Sequence, residues 1–166
     1  MIDSPTLPVL FPVVAAALVD EDGRVLLQQR PAGKALAGLW EFPGGKLEPG
    51  ETPEAALVRE LQEELAITVA AEALEPAGFA TEPLPGRHLL LLLYVIRAWS
   101  GTPVALEADG LTWCQPADMH AWSMPPADGP LVRQLAAYLV DSSSSDAAPD
   151  SGTVYPPRSN VPRSGR

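Results

Sequence analysis

The distribution of apolar runs predicts an α/β (α+β) fold, an α/β/α sandwich around a mixed β-sheet. Three observations carry this: several short strand-like runs, one amphipathic helix midway along the chain, and a second helix near its end. Val9–Val19 is an apolar run rich in Val and Ala, and it stops at the turn Asp20-Glu21-Asp22-Gly23. Val25-Leu26-Leu27-Gln28-Gln29-Arg30 follows, so the pair reads as a hairpin. Pro31 to Leu39 is loop, and Trp40-Glu41-Phe42 forms a short strand leading into Pro43-Gly44-Gly45. Thr52-Pro53 opens the first helix, because Thr caps and Pro fits the first turn. Its stripe Val58, Leu61, Leu65 follows the i, i+3, i+7 pattern of a core-facing side. Ile67–Ala80 reads as a weaker strand region broken near Glu75-Pro76. His88–Trp99, with five consecutive leucines from Leu89 to Leu93, reads as a long strand buried on both faces. Leu111–Gln115 is a short strand and Pro116–Ala121 a short helical piece. Asp128–Val140 is the final helix, with Leu131, Leu135, Ala136 and Leu139 on one side. No internal repeat is evident.

These elements make one domain over residues 9–140, within a chain of 166 residues of which 46% are apolar. Residues 1–8 read as a flexible arm. Residues 141–166 contain five apolar residues in twenty-six, too few to offset ordering entropy, and read as a disordered tail.

The net charge of −10 argues against nucleic acid as a partner, where a basic patch is expected. From Glu41 to Glu64 seven glutamates face only Lys46 and Arg59, a net of −5 in 24 residues. The single cysteine, Cys114, excludes an internal disulfide and suits a reducing compartment. The apolar stretch Leu7–Val19 is too short and proline-punctuated to span a membrane and lacks the basic start of a signal peptide, so a cytoplasmic, membrane-free protein is expected.

The chemistry is concentrated between Gly45 and Ile67. On the helix, Glu60, Glu63 and Glu64 are related by i, i+3 and i, i+4, so their carboxylates share a face. Three anions so close repel one another, whereas a solvated face would mix signs. Oxygen-rich sites of this kind suit Mg²⁺ or Mn²⁺ bridging to substrate phosphates, so metal-dependent phosphate chemistry is expected.

The same segment resembles the Nudix hydrolase signature: glycine, five residues, Glu, seven residues, then Arg-Glu-hydrophobic-x-Glu-Glu-x-Gly-hydrophobic. Gly45, Glu51, Arg59, Glu60, Leu61, Glu63, Glu64 and Ile67 fit, and Ala66 stands where the pattern has glycine. Ala at such a left-handed helix end costs roughly 1 kcal/mol but removes no ligand. The resemblance implies hydrolysis of a nucleoside diphosphate linked to a further group, over a fold spanning about residues 9–140. It implies metal ligation by Glu60, Glu63, Glu64 and the Gly44 carbonyl. It also implies catalytic roles for Arg59, Glu60, Glu63 and Glu107, with Arg59 orienting the carboxylates.

Trp40 to Lys46, Gly50-Glu51-Thr52-Pro53-Glu54, Arg87-His88, Trp113 and Pro125-Pro126-Ala127-Asp128 make the chain similar to the MutT-type nucleoside triphosphate pyrophosphohydrolases. That likeness implies release of pyrophosphate, with Arg30, Glu41, Phe42, Pro43, Gly44 and Asp128 contacting substrate. Arg30 would lie near phosphates or sugar, Phe42 beside the base, and Asp128 at the base edge. The MutT-type pattern points first to 8-oxo-dGTP, hence to sanitation of the nucleotide pool and DNA repair. Asp128, an acceptor when ionised, and Ala35 in place of a histidine point to cytosine nucleotides as the alternative. Asp128 is also well suited to cap the final helix, and a non-catalytic nucleotide-sensing module is the third reading. The expected assembly is a monomer or small homo-oligomer.

Overall fold

A computed structural model describes residues 8–144. Its strands are β1 (Leu10–Leu18), β2 (Val25–Gln29), β3 (Trp40–Glu41), β4 (Gly44–Lys46), β5 (Glu75–Leu84), β6 (Arg87–Ile96) and β7 (Gly110–Cys114). Its helices are α1 (Pro53–Leu65) and α2 (Asp128–Ser144). Short 3₁₀ turns cover Ala71–Ala73 and Pro116–Ala121.

The strands form two sheets. A four-stranded sheet runs β4-β1-β6-β5, and a three-stranded sheet runs β3-β2-β7. The first is mixed: β1 lies parallel to β6 and antiparallel to β4. The three-stranded sheet is antiparallel throughout.

The side-chain alternation of a strand builds the sandwich. Along β1, Val14, Ala16 and Leu18 face one way and pack with Ala56, Leu57, Leu61 and Leu65 of α1. Ala15 and Ala17 face the other way and pack with Leu131 and Leu135 of α2. On β6, Tyr94 and Ile96 join the first cluster, and Leu91, Leu93 and Val95 join the second. Both faces of the central strands are therefore covered, as the apolar runs predict.

Four expectations need correction. β1 and β2 are joined by a turn but meet only at an isolated Val19–Val25 bridge. The hairpin fails because β1 takes β4 and β6 as neighbours while β2 takes β3 and β7. The break expected near Glu75 is instead the start of β5, which pairs with β6 through an irregularity between Pro76 and Gly78. The first helix buries Leu57 with Leu61 and Leu65, leaving Val58 at the margin of the core. The final helix continues past Val140 to Ser144, taking in four residues assigned to the tail. The expected disorder of residues 145–166, and the arm over residues 1–7, lie outside the described residues. No helix among the described residues is long and apolar enough to cross a membrane.

Candidate functional site

α1 begins as its sequence dictates. The Thr52 hydroxyl accepts a hydrogen bond from the Ala55 amide at 3.2 Å, and Pro53 occupies the first turn. The helix ends at Ala66, which adopts the left-handed conformation (φ 56°) and donates its amide to the Gln62 carbonyl at 3.2 Å. The turn that the glycine of the pattern would make forms with alanine in its place, under strain.

Burying Leu57, Leu61 and Leu65 against the sheet turns Glu60, Glu63 and Glu64 toward a cleft of about 850 Å³. The cleft is also lined by Arg30, Glu41, Phe42, Gly44, Gly45, Arg59, Glu107 and Asp128. This volume suits a small-molecule ligand. A more open depression at Val19–Glu21 and Arg97–Trp99, about 530 Å³, contains none of these residues.

The glycine pair is required by close approach. Gly44 has φ 144°, and a Cβ there would lie 2.1 Å from the Val14 carbonyl oxygen, because β4 is pressed against β1. A Cβ on Gly45 would lie 2.3 Å from the Glu60 carboxyl carbon. The absent side chain of Gly45 is therefore the space that the Glu60 carboxylate occupies.

Arg59 organises the acidic face. Its Nε and Nη2 donate to Glu51 Oε1 at 2.7 Å and Oε2 at 2.9 Å. Its Nη1 donates to Glu60 Oε1 at 3.0 Å and Glu63 Oε2 at 3.3 Å, and Nη2 also reaches the Lys46 carbonyl at 3.0 Å. The bidentate partner is thus Glu51, which appears in the sequence only as a motif position. The guanidinium and the Glu48 amide hold the Glu51 carboxyl down to about 2. Arg59 in turn is pushed further above its already high value, chiefly by Glu51.

Glu64 is held differently. Its Oε2 accepts from the Gly44 amide and from Gln28 Nε2, both at 3.0 Å. Oε1 takes no hydrogen bond among the described residues. Burial pushes its carboxyl up to about 7, against the lowering effect of those two donors. Burial also raises Glu60, opposed by Arg59. Glu63 is more exposed, its side chain 54% accessible.

These donors fit a divalent cation by chemistry. They are hard carboxylate oxygens, two of them on desolvated acids whose ionised forms a cation would stabilise. No three acidic, His or Cys side chains among the described residues converge as a ready-made cation site. Glu60 is committed to Arg59 and Glu64 to Gln28 and Gly44.

The remaining expected residues also line the cleft or adjoin its glycine turn. Arg30 Nη1 bridges to Glu41 Oε2 at 2.6 Å, and its Nε donates to the Ala35 carbonyl at 2.7 Å. Lys34 Nζ reaches Glu107 Oε2 at 3.2 Å, joining the two loops that flank the cleft. The Pro43 carbonyl accepts from the Ala16 amide at 2.8 Å, fixing the glycine turn to β1. Phe42 is 4% exposed, and its ring belongs to the apolar cluster beneath α2.

Asp128 is 5% exposed at the start of α2. Burial pushes its carboxyl up to about 7, with Glu41 and Glu82 adding to the rise and the Phe42 amide and Arg30 opposing it. Two site residues escaped the sequence reading. Gln28 is a polar residue that is buried at the end of the apolar run Val25–Leu27, and Glu82 carries no local signal.

The chain matches the NUDIX domain family over residues 9–135. It is 42% identical over 124 residues to the CTP pyrophosphohydrolase of Escherichia coli (strain K12), covering 75% of this chain and 90% of that one. It is 35% identical over 128 residues to the 8-oxo-dGTP diphosphatase of the same organism, covering 74% and 94%. Among solved structures, the E. coli ORF135 protein superposes with a TM-score of 0.72 at 38% identity, covering 81% of this chain and 94% of that one. A MutT structure described for Aliivibrio salmonicida and Vibrio cholerae gives 0.64 at 34% identity, covering 77% and 98%. With the glycine turn, Arg59 and the glutamate face lining one cleft and Glu51 anchoring Arg59, this chain belongs to the Nudix hydrolase family, among relatives of MutT type.

Proposed function

We propose that the protein hydrolyses (deoxy)nucleoside triphosphates to the monophosphate and pyrophosphate, with 8-oxo-dGTP as the leading substrate and Mg²⁺ as the metal. The observation that carries this is the pairing of the α1 carboxylates with the Gly44-Gly45 turn in a nucleotide-sized cleft. In the reaction a water oxygen bonds to phosphorus as the P–O bond between the α- and β-phosphates breaks, the bridging oxygen leaves with the bond's electron pair, and the water proton passes to a carboxylate of the cleft and then to solvent.

Glu60, Glu63 and Glu64 would hold the cation, which when bound neutralises phosphate charge and lowers the pKa of bound water. Arg59 holds the Glu60 and Glu63 carboxylates in place through Nη1 and is itself anchored by Glu51. The Gly44 amide is engaged by Glu64, which leaves its carbonyl as the atom to offer a cation. Glu107, over the same cleft, adds a further acid. Arg30 and Glu41 supply paired charges for sugar and phosphate, and Asp128 faces the base. Such an activity serves sanitation of the nucleotide pool and, through it, DNA repair in the cytoplasm.

A second reading is a cytosine nucleotide as substrate. It is favoured by Asp128 within Pro125-Pro126-Ala127-Asp128 and by the 42% identity to a protein named CTP pyrophosphohydrolase. A buried carboxyl near neutrality accepts from an exocyclic amino group when ionised and donates to a carbonyl when protonated.

A panel of nucleotides assayed for pyrophosphate with Mg²⁺ separates the two readings. Glu60→Gln should abolish pyrophosphate release with the fold unchanged by circular dichroism. Near-normal turnover in that variant refutes the proposed site.

A further inference from the structure

The alternation of β2 places Gln28 on the side of Leu26, facing the α1 layer, while Val25 and Leu27 face the α2 layer. Gln28 is 3% exposed and lies in a run whose other buried members are all apolar. Its Nε2 donates to Glu64 Oε2 at 3.0 Å. Its Oε1 is buried with no hydrogen-bond partner among the described residues. A buried carbonyl without a partner is destabilising, so a Leu or Met of similar volume would serve the core better. The residue is therefore at odds with packing at the one point where it touches the acidic face.

The geometry around Glu64 supplies the reason. Two N–H groups, one from Gly44 and one from Gln28, converge on the same oxygen. They pin that end of the carboxylate and leave Oε1 unengaged in a side chain that lines the cleft. The main-chain donor comes with the glycine turn, whereas the amide donor is a specific choice at position 28.

We propose that Gln28 is a positioning residue, holding the Glu64 carboxylate in the orientation in which it takes a divalent cation. This rests on the metal-dependent reading above. Partners that orient a metal-binding side chain commonly influence metal affinity by about tenfold to a hundredfold.

The experiment uses the full chain with Gln28→Met and, as an independent second variant, Gln28→Leu. Mn²⁺ binding is measured directly by the paramagnetic resonance signal of free Mn²⁺, and thermal unfolding is recorded without added cation. The expected result is a Mn²⁺ dissociation constant raised about tenfold or more in either variant. The unfolding temperature should equal or exceed that of the wild type, because the unpaired carbonyl is gone. Wild-type Mn²⁺ affinity in both variants overturns the proposal, and so does a lowered unfolding temperature accompanied by unchanged affinity. A wild-type chain that binds no Mn²⁺ overturns the metal-dependent reading as well, which separates the two failures.

Discussion

Replacing Asp128 by Asn should make the protein's stability less sensitive to pH, by an amount set by burial. The Asp128 carboxyl moves from 3.8 to about 7 on folding, with desolvation as the first cause and the charges of Glu41 and Glu82 adding to it. The folded state therefore binds this proton more tightly than the unfolded chain does. The group's contribution to stability is complete below about pH 4 and is lost as the pH rises toward about 7. Each pH unit in that interval corresponds to about 1.4 kcal/mol, so the wild type loses at most ~4 kcal/mol through this side chain.

Asn is neutral at every pH and keeps an oxygen to accept the Phe42 amide. Glu64, also raised to about 7, contributes the same slope to both proteins and cancels in their difference. Urea unfolding at a series of pH values measures that difference directly. The stability of Asp128→Asn relative to wild type should climb from about pH 4 to about pH 7 and level off above it. A difference that stays flat within about 0.5 kcal/mol over that interval refutes the account of Asp128 as a desolvated acid.

Four further outcomes follow from the geometry. Asp128→Asn should change the ratio of cytosine to 8-oxoguanine nucleotide turnover, and an unchanged ratio in a competition assay means Asp128 does not read the base. Ala66→Gly should stabilise the protein by about 1 kcal/mol, since it relieves a left-handed alanine at an exposed helix end; a chemical denaturation midpoint measures it. Arg59→Lys keeps the charge but loses the two-pronged grip on Glu51, so turnover should fall well below wild type while the secondary structure persists. Gly45→Ala drives a methyl into the Glu60 carboxylate, and its pyrophosphate release should drop toward that of Glu60→Gln. Steady-state kinetics checks both, and wild-type rates in Gly45→Ala would show that Glu60 is free to sit elsewhere.

The chemistry of the acidic helix was legible because it is local. A cap at Thr52, carboxylates at three- and four-residue spacing, and glycines before the helix are all set by covalent neighbours and the helical repeat. The apolar runs likewise specify which faces of β1 and β6 must be covered. Strand pairing is not local. The turn after Val19 suggested a hairpin, yet β1 pairs with β6, seventy and more residues away, because that arrangement buries both of its faces. For the same reason Gln28 and Glu82 could not be assigned to the site from sequence, and Glu51, though a motif position, shows its grip on Arg59 only in the fold. What the chain determined alone is the set of groups available and the one helix face on which the glutamates stand. Which distant side chains meet them, and how far burial moves the carboxyls of Glu64 and Asp128, was decided only when the layers closed around the cleft and removed water from it.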